Sequence, residues 1–181
     1  MSFIDEIKKM MNNVIKSKNK KPSTNTLLEE FVKEAEKWIG VSGDEGIDSF
    51  RKAIDGKAEG EPWCAAFVQY CARATSIRMY SGEPDIVPSE LCYDIWVKSP
   101  KELKETKPRR GLIVIWNYPG TYRGHTGIVT GVSADGSLET IEGNTTVMGE
   151  YKRDGRGVYA KVRSQKGMGG MMILGYLRPF K

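Results

Sequence analysis

The hydrophobic pattern of this chain changes period once, near Pro108. Before it, apolar residues recur every three or four positions, as on one face of a helix. After it they come in short runs broken by glycine-rich turns, as in strands. Helices gathered in the first part and strands in the second argue an α+β fold in which helices pack on an antiparallel sheet. The 181 residues, 39% hydrophobic and 28% charged, suffice for one domain with a real core.

In the first part, residues 3–16 read as an amphipathic helix with Phe3, Ile7, Met10, Met11, Val14 and Ile15 on one side and lysines on the other. Ser17 to Asn25 is polar, carries Pro22 and reads as a linker, so residues 1–25 form a basic amphipathic segment ahead of a domain spanning 26–181; its first reading is an extra helix packed on the domain, with a basic membrane- or wall-surface anchor and a disordered arm as the alternatives. A second helix is expected from Thr26 to Ile39, with Thr26 and Glu29 forming a capping box and Gly40 ending it. Further helices are expected over Asp48–Ile54, Pro62–Ala74 and Ser89–Val97, the last capped by Ser89. The strands expected are Leu112–Trp116, His125–Val132, Ser137–Glu142, Gly157–Arg163 and Ile173–Leu177, with a hairpin turn at Ala134-Asp135-Gly136-Ser137.

Composition narrows the chemistry. No apolar run is long enough to span a bilayer. The start, Met1-Ser2-Phe3-Ile4-Asp5-Glu6-Ile7, lacks the basic-then-apolar order of a secretory signal, so synthesis in the cytoplasm is expected. Three cysteines do not make a disulfide framework. The net charge of +5 favours anionic partners, but no nucleic-acid motif accompanies it, and a monomer that binds no nucleic acid is expected.

The single histidine, His125, opens an expected strand, and Cys64 follows Pro62 at an expected helix start. Proline is favoured in the first turn of a helix, where its missing N–H is not needed. The helix dipole and open N–H groups there stabilise a thiolate. Ala65 and Ala66 leave the sulfur room. His125 is then the general base, and Gly124 and Gly127 keep its surroundings open. Glu142 and Asn144 share strand parity and can both face His125 from the adjacent strand. Glu142 is expected to accept the imidazole N–H, and Asn144 to share that task or to bind substrate. Trp63, Trp116 and Tyr122 are the aromatic candidates for substrate binding. Cys71 and Cys92 read as buried small hydrophobes.

Metal readings fit less well. Cys64, Cys71, Cys92 and His125 lack paired zinc-ligand spacings. The acidic cluster Asp44, Glu45, Asp48 and Asp55 lacks the ligand order of a calcium loop. No metal or other cofactor is expected.

The series Pro62-Trp63-Cys64-Ala65-Ala66-Phe67-Val68, Gly124-His125-Thr126-Gly127, Glu142-Gly143-Asn144 and the closing Gly175-Tyr176-Leu177-Arg178-Pro179 resembles the CHAP amidase/endopeptidase family, within the NlpC-type and papain-like cysteine peptidases. The resemblance covers roughly residues 27–180, and Arg109-Arg110-Gly111-Leu112 departs from the Gly-Asp often found before the family's strand. It implies a papain-like α+β fold with the nucleophile helix on an antiparallel sheet. It also implies Cys64 as nucleophile, His125 as base, and Glu142 and Asn144 as polar partners. The implied substrate is peptidoglycan, cleaved at an amide bond, as by an N-acetylmuramoyl-L-alanine amidase or an endopeptidase. A phage endolysin that reaches the bacterial wall with a holin fits best; the resemblance leaves the first 25 residues unexplained, and their charge alone suggests that they meet an anionic envelope. The alternatives are a non-enzymatic wall-binding or virion structural module of the same fold, and a delivered antibacterial cell-wall toxin.

Overall fold

Ser23 caps the first described helix of the computed structural model, which describes residues 20–42, 44–57, 62–146 and 157–181, with the backbone alone at 44 and 45. The amphipathic helix expected over 3–16 lies outside these residues. Helix α1 spans Thr24–Glu36, and Ser23 Oγ accepts the Thr26 N–H at 3.2 Å. The cap therefore sits three residues earlier than the Thr26–Glu29 box predicted. The helix also stops before Ile39, which is exposed. Gly40, with φ +89°, turns the chain out and donates its N–H to Val158 O at 2.8 Å.

Helix α2 covers Asp44–Asp55 and α3 covers Cys64–Tyr80. The latter runs past the expected end at Ala74 because its polar stretch finds partners within the fold. Thr75 Oγ1 donates back to Cys71 O, and the Tyr80 hydroxyl donates to Ser76 Oγ. It ends at Ser81, in the left-handed region at φ +57°. Pro62 lies just before this helix, with Trp63 at the N-cap and Cys64 as first helical residue. Helix α4 covers Cys92–Lys98. Ser89 is not its cap but belongs to the preceding turn, where its Oγ accepts the Leu91 N–H.

Among the described residues the strands are β1 (Lys104–Glu105), β2 (Ile113–Asn117), β3 (Gly124–Val132), β4 (Leu138–Thr145), β5 (Gly157–Arg163) and β6 (Met172–Leu177). They form one antiparallel sheet in the order β1-β6-β2-β3-β4-β5. The two-residue β1 is too short to show a period and was not expected. Strand β2 is buried on both faces. Ile113 and Ile115 join the large core beneath the helices, while Val114 and Trp116 face a second cluster with Val129, Leu138, Met171 and Tyr176.

Helix α3 is the hub of the helical layer, packed on β3 and β4 with α1 and α2 against it. Phe50 of α2 sits among Trp38, Trp63, Phe67 and Tyr70. The departing motif at Arg110-Gly111 fastens α1 to the sheet. Arg110 pairs with Glu29 and Glu36 and donates to Thr130 O. At Gly111 (φ +85°) a Cβ would lie 2.5 Å from Leu28 Cβ, so no larger residue fits beneath the helix. Helices packed on an antiparallel sheet make this the α+β fold expected from the change of period.

Candidate active site

The N-terminal tip of α3 meets the start of β3. Cys64 Sγ bonds with the side chain of His125 and accepts the backbone N–H of Thr126. The N–H groups of Cys64, Ala65 and Ala66 lie in the first turn and have no acceptor within the helix, the first i→i−4 bond being Phe67 N–H to Trp63 O. Positive potential thus converges on the sulfur from the helix end and from the imidazole.

Across the sheet, His125 Nε2 lies 3.0 Å from Glu142 Oε2. Glu142 is fully buried and its carboxylate is saturated. Thr140 Oγ1 donates to Oε1 at 2.7 Å, Arg163 Nε donates to Oε1 at 2.8 Å, and Arg163 Nη2 donates to Oε2 at 2.6 Å. Burial alone would raise the Glu142 pKa, but the bonds from Arg163 and His125 outweigh it and bring the value to about 2. The carboxylate is ionised, so His125 donates from Nε2. Nδ1 is then the ring nitrogen left for the sulfur.

The ionisation of the pair follows. Burial works against a charged His125, but the Cys64 thiolate and Glu142 more than offset it, raising the imidazole pKa to about 9. The Cys64 thiol is held well below its ordinary value, first by a hydrogen bond from Cys92 and, against the cost of burial, by His125. Thiolate and imidazolium are the resting forms of the two groups.

Local sequence accounts for much of this geometry. Trp116 pairs with His125 across β2 and β3, and the rings stack with centroids 5.9 Å apart. Gly127, on the same face two residues on, leaves the room through which Glu142 reaches: a Cβ there would lie 2.7 Å from Glu142 Cγ. At Gly143 a Cβ would lie 2.6 Å from Phe67 Cβ, so this glycine lets β4 approach α3.

Asn144 also comes to the site, lining the cleft beside Cys64 and His125, though not by the parity argument. A bulge interrupts the β4–β5 register between Glu142 and Thr145, and Asn144 takes a left-handed φ of +56°. Its placement is set by the bulge and not by strand alternation.

The cleft holds about 640 Å3 and is open to solvent. Tyr118, Pro119, Tyr122 and Arg123 form one wall, and Glu90, Leu91 and Cys92 contribute another part of the lining. Of the three aromatic candidates, Tyr122 is 60% exposed and lines it. Trp63 and Trp116 are corrected: both are buried and neither lines the cleft, because Trp63 stacks on Phe50 and Trp116 lies in the second core cluster against His125. They are packing residues.

Residues 56–144 match the family described as the CHAP domain. The chain carries a CHAP domain. Such domains are typically cysteine- and histidine-dependent amidohydrolases or peptidases, and the match points generally to peptidoglycan hydrolysis. No curated protein matches the chain. The matched segment of the CHAP domain includes Cys64, His125, Glu142 and Asn144, whereas Arg163 lies beyond it on β5.

Two site residues were missed from sequence. Arg163 sits in an alternating strand like any exposed arginine, and only the β4–β5 pairing brings it to Glu142. Cys92 packs in the core, as expected, but its Sγ also lies 3.5 Å from Cys64 Sγ. Cys71 is fully buried, and burial followed by the nearby Glu34 raises its pKa well above the ordinary value. Of the acidic cluster, Asp48 pairs with Arg51 and Asp55 accepts the Lys57 N–H, while the side chains of Asp44 and Glu45 lie outside the described residues. Among the described residues no three His, Cys, Asp or Glu side chains converge as metal ligands would.

Proposed function

We propose that this chain is a peptidoglycan hydrolase that cleaves an amide bond of the wall peptide, as an N-acetylmuramoyl-L-alanine amidase or an endopeptidase. The observation that carries the reading is the Cys64–His125–Glu142–Arg163 relay at an open cleft in a CHAP domain. Cys64 Sγ attacks the scissile carbonyl carbon, and N–H groups at the start of α3 receive the developing oxyanion. The His125 imidazolium gives its Nδ1 proton to the leaving amine. Water, deprotonated by the now neutral His125, attacks the thioester. The product carboxylate leaves and the thiolate–imidazolium pair is restored. Glu142 keeps Nε2–H in place throughout, and Asn144 and Tyr122 contact the substrate in the cleft.

The basic N-terminal segment and the resemblance to phage wall hydrolases support an endolysin role, with the segment drawing the enzyme to an anionic envelope. Digestion of purified peptidoglycan followed by mass spectrometry of the released fragments tests the reading. The expected result is a new amine and a new carboxylate at one type of amide bond, absent with Cys64→Ala. Binding to the wall without any fragment released would reject hydrolysis and favour a non-enzymatic module.

A further inference from the structure

Cys92 lies at the N-terminal end of α4 and borders the same cleft as the nucleophile. The two sulfurs are 3.5 Å apart, whereas a disulfide needs about 2.05 Å. All three cysteines are free thiols, and Cys71, the other sulfur of α3, does not line the cleft. The turn before Cys92 is anchored to the nucleophile helix itself. Gln69 of α3 accepts the Ser89 N–H at 2.9 Å and donates to Ser89 O at 2.5 Å. The close approach of the sulfurs is thus held by a buried amide that ties one thiol's helix to the other's approach loop.

We propose that Cys92 is a resolving thiol, and that a hydroperoxide converts Cys64 and Cys92 into a reversible disulfide that switches the site off. The Cys64 thiolate attacks the distal oxygen of the hydroperoxide, its O–O bond breaks, and the alkoxide or hydroxide leaves with a proton from the His125 imidazolium. Cys64 is now a sulfenic acid. Cys92 loses its proton as its sulfur attacks the Cys64 sulfur, and hydroxide departs as water. Two thiols lose two electrons in total, and one hydroperoxide becomes an alcohol, or water, plus a water. A dithiol reverses the change by exchange. The hydrogen bond from Cys92 to the Cys64 sulfur keeps Cys92 protonated at rest and Cys64 the more reactive of the two, in agreement with this order of events. Closure also protects Cys64 from the irreversible sulfinic and sulfonic acids. The proposal rests on the Cys64 thiolate and not on which bond the enzyme cleaves.

The test uses the full reduced chain treated with one equivalent of hydrogen peroxide, denatured in the presence of iodoacetamide so that every remaining thiol is alkylated, and digested with chymotrypsin, which cuts between Cys64 and Cys71 at Phe67 and Tyr70. The expected map shows Cys64 and Cys92 peptides joined with the loss of two hydrogens and Cys71 alkylated. Activity falls in proportion to the joined fraction and returns with dithiothreitol. In Cys92→Ser treated with an excess of hydrogen peroxide, Cys64 should instead gain two or three oxygens, and dithiothreitol should no longer restore activity. Wild-type protein whose Cys64 is oxidised, to the sulfenic acid at one equivalent or to the sulfinic acid in excess peroxide, with Cys92 still alkylated overturns the proposal, as does a crosslink to Cys71. The wild-type map decides the matter even if the variant does not fold. It also reads out if the protein releases no wall fragments, so the two proposals fail separately.

Discussion

Arg163 grips both carboxylate oxygens of Glu142, with Nε 2.8 Å from Oε1 and Nη2 2.6 Å from Oε2. The contact is enclosed, since the Arg163 side chain is 9% exposed and Glu142 not at all. A fork-to-fork pair of this kind fixes the plane of the carboxylate and keeps it charged. His125 then has one orientation in which Nε2–H is satisfied and Nδ1 faces the sulfur.

Removing the guanidinium strands a buried charge. Arg163→Met should destabilise the fold by about 3 kcal/mol and raise the Glu142 pKa, so the acid limit of activity should move to higher pH. Arg163→Lys should recover part of the stability but not the bidentate geometry. Urea denaturation with a pH–rate profile checks both effects, and a profile unchanged in Arg163→Met would remove Arg163 from the relay.

The pH dependence follows from the signs of the shifts. His125 has its pKa raised to about 9, so its stabilising contribution is fully present below the unfolded value near 6.5 and is lost as pH rises through about 9. Glu142 has its pKa lowered to about 2, so its contribution is present above the unfolded value of about 4.5 and is lost as pH falls toward 2. Activity should decline on the alkaline side near pH 9, when the leaving amine loses its proton donor. Iodoacetamide should alkylate Cys64 well below the pH of about 8.5 at which a free thiol reacts, and His125→Ala should remove that advantage. Equal alkylation rates in the variant would contradict the ion pair.

The two glycines flanking the relay should tolerate no side chain. Gly127→Ala pushes a methyl against Glu142 Cγ and turns the carboxylate away from His125. Gly143→Ala wedges β4 from Phe67 and withdraws the tip of α3 from β3. Each should lower activity far more than it lowers the melting temperature, with the loss expressed in kcat. A normal kcat in Gly127→Ala would mean that Glu142 is not held in this orientation.

The two thiols of α3 should separate by variant. Cys64→Ala should abolish hydrolysis with the fold retained. Cys71→Ala should leave the chemistry intact and cost about 1 kcal/mol of stability, because its side chain is buried in the core and does not line the cleft. Thermal denaturation and release of dye-labelled wall fragments distinguish them, and residual wild-type lysis by Cys64→Ala would overturn the assignment of the nucleophile.

The N-terminal segment should be separable just before Lys20. Lys21 pairs with Asp85 at 2.8 Å and Ser23 caps α1, so a chain starting at Asn25 would lose both, with about 1 kcal/mol attached to the cap alone. A chain starting at Lys20 should cleave soluble muropeptides normally and bind anionic vesicles less tightly at low salt. Unchanged vesicle binding would deny the segment a surface role.

Periodicity and small residues carried much of this protein's design in plain view. The change near Pro108 separated helices from strands, because side chains that must reach one core repeat every 3.6 residues on a helix and every second residue on a strand. Cys64 after Pro62, the lone His125 and Glu142 on the next strand were legible because each depends on position within its own element. Tertiary structure alone decided what lay between elements. Whether Trp63 and Trp116 faced substrate or core depended on Phe50 and on the second cluster, which come from other parts of the chain. Asn144 reached the cleft through a bulge that breaks strand parity. Arg163 met Glu142, and Cys92 met Cys64, across separations of 21 and 28 residues. Contacts of that kind leave no local pattern, because they arise only when strand register and helix docking bring distant side chains within bonding distance.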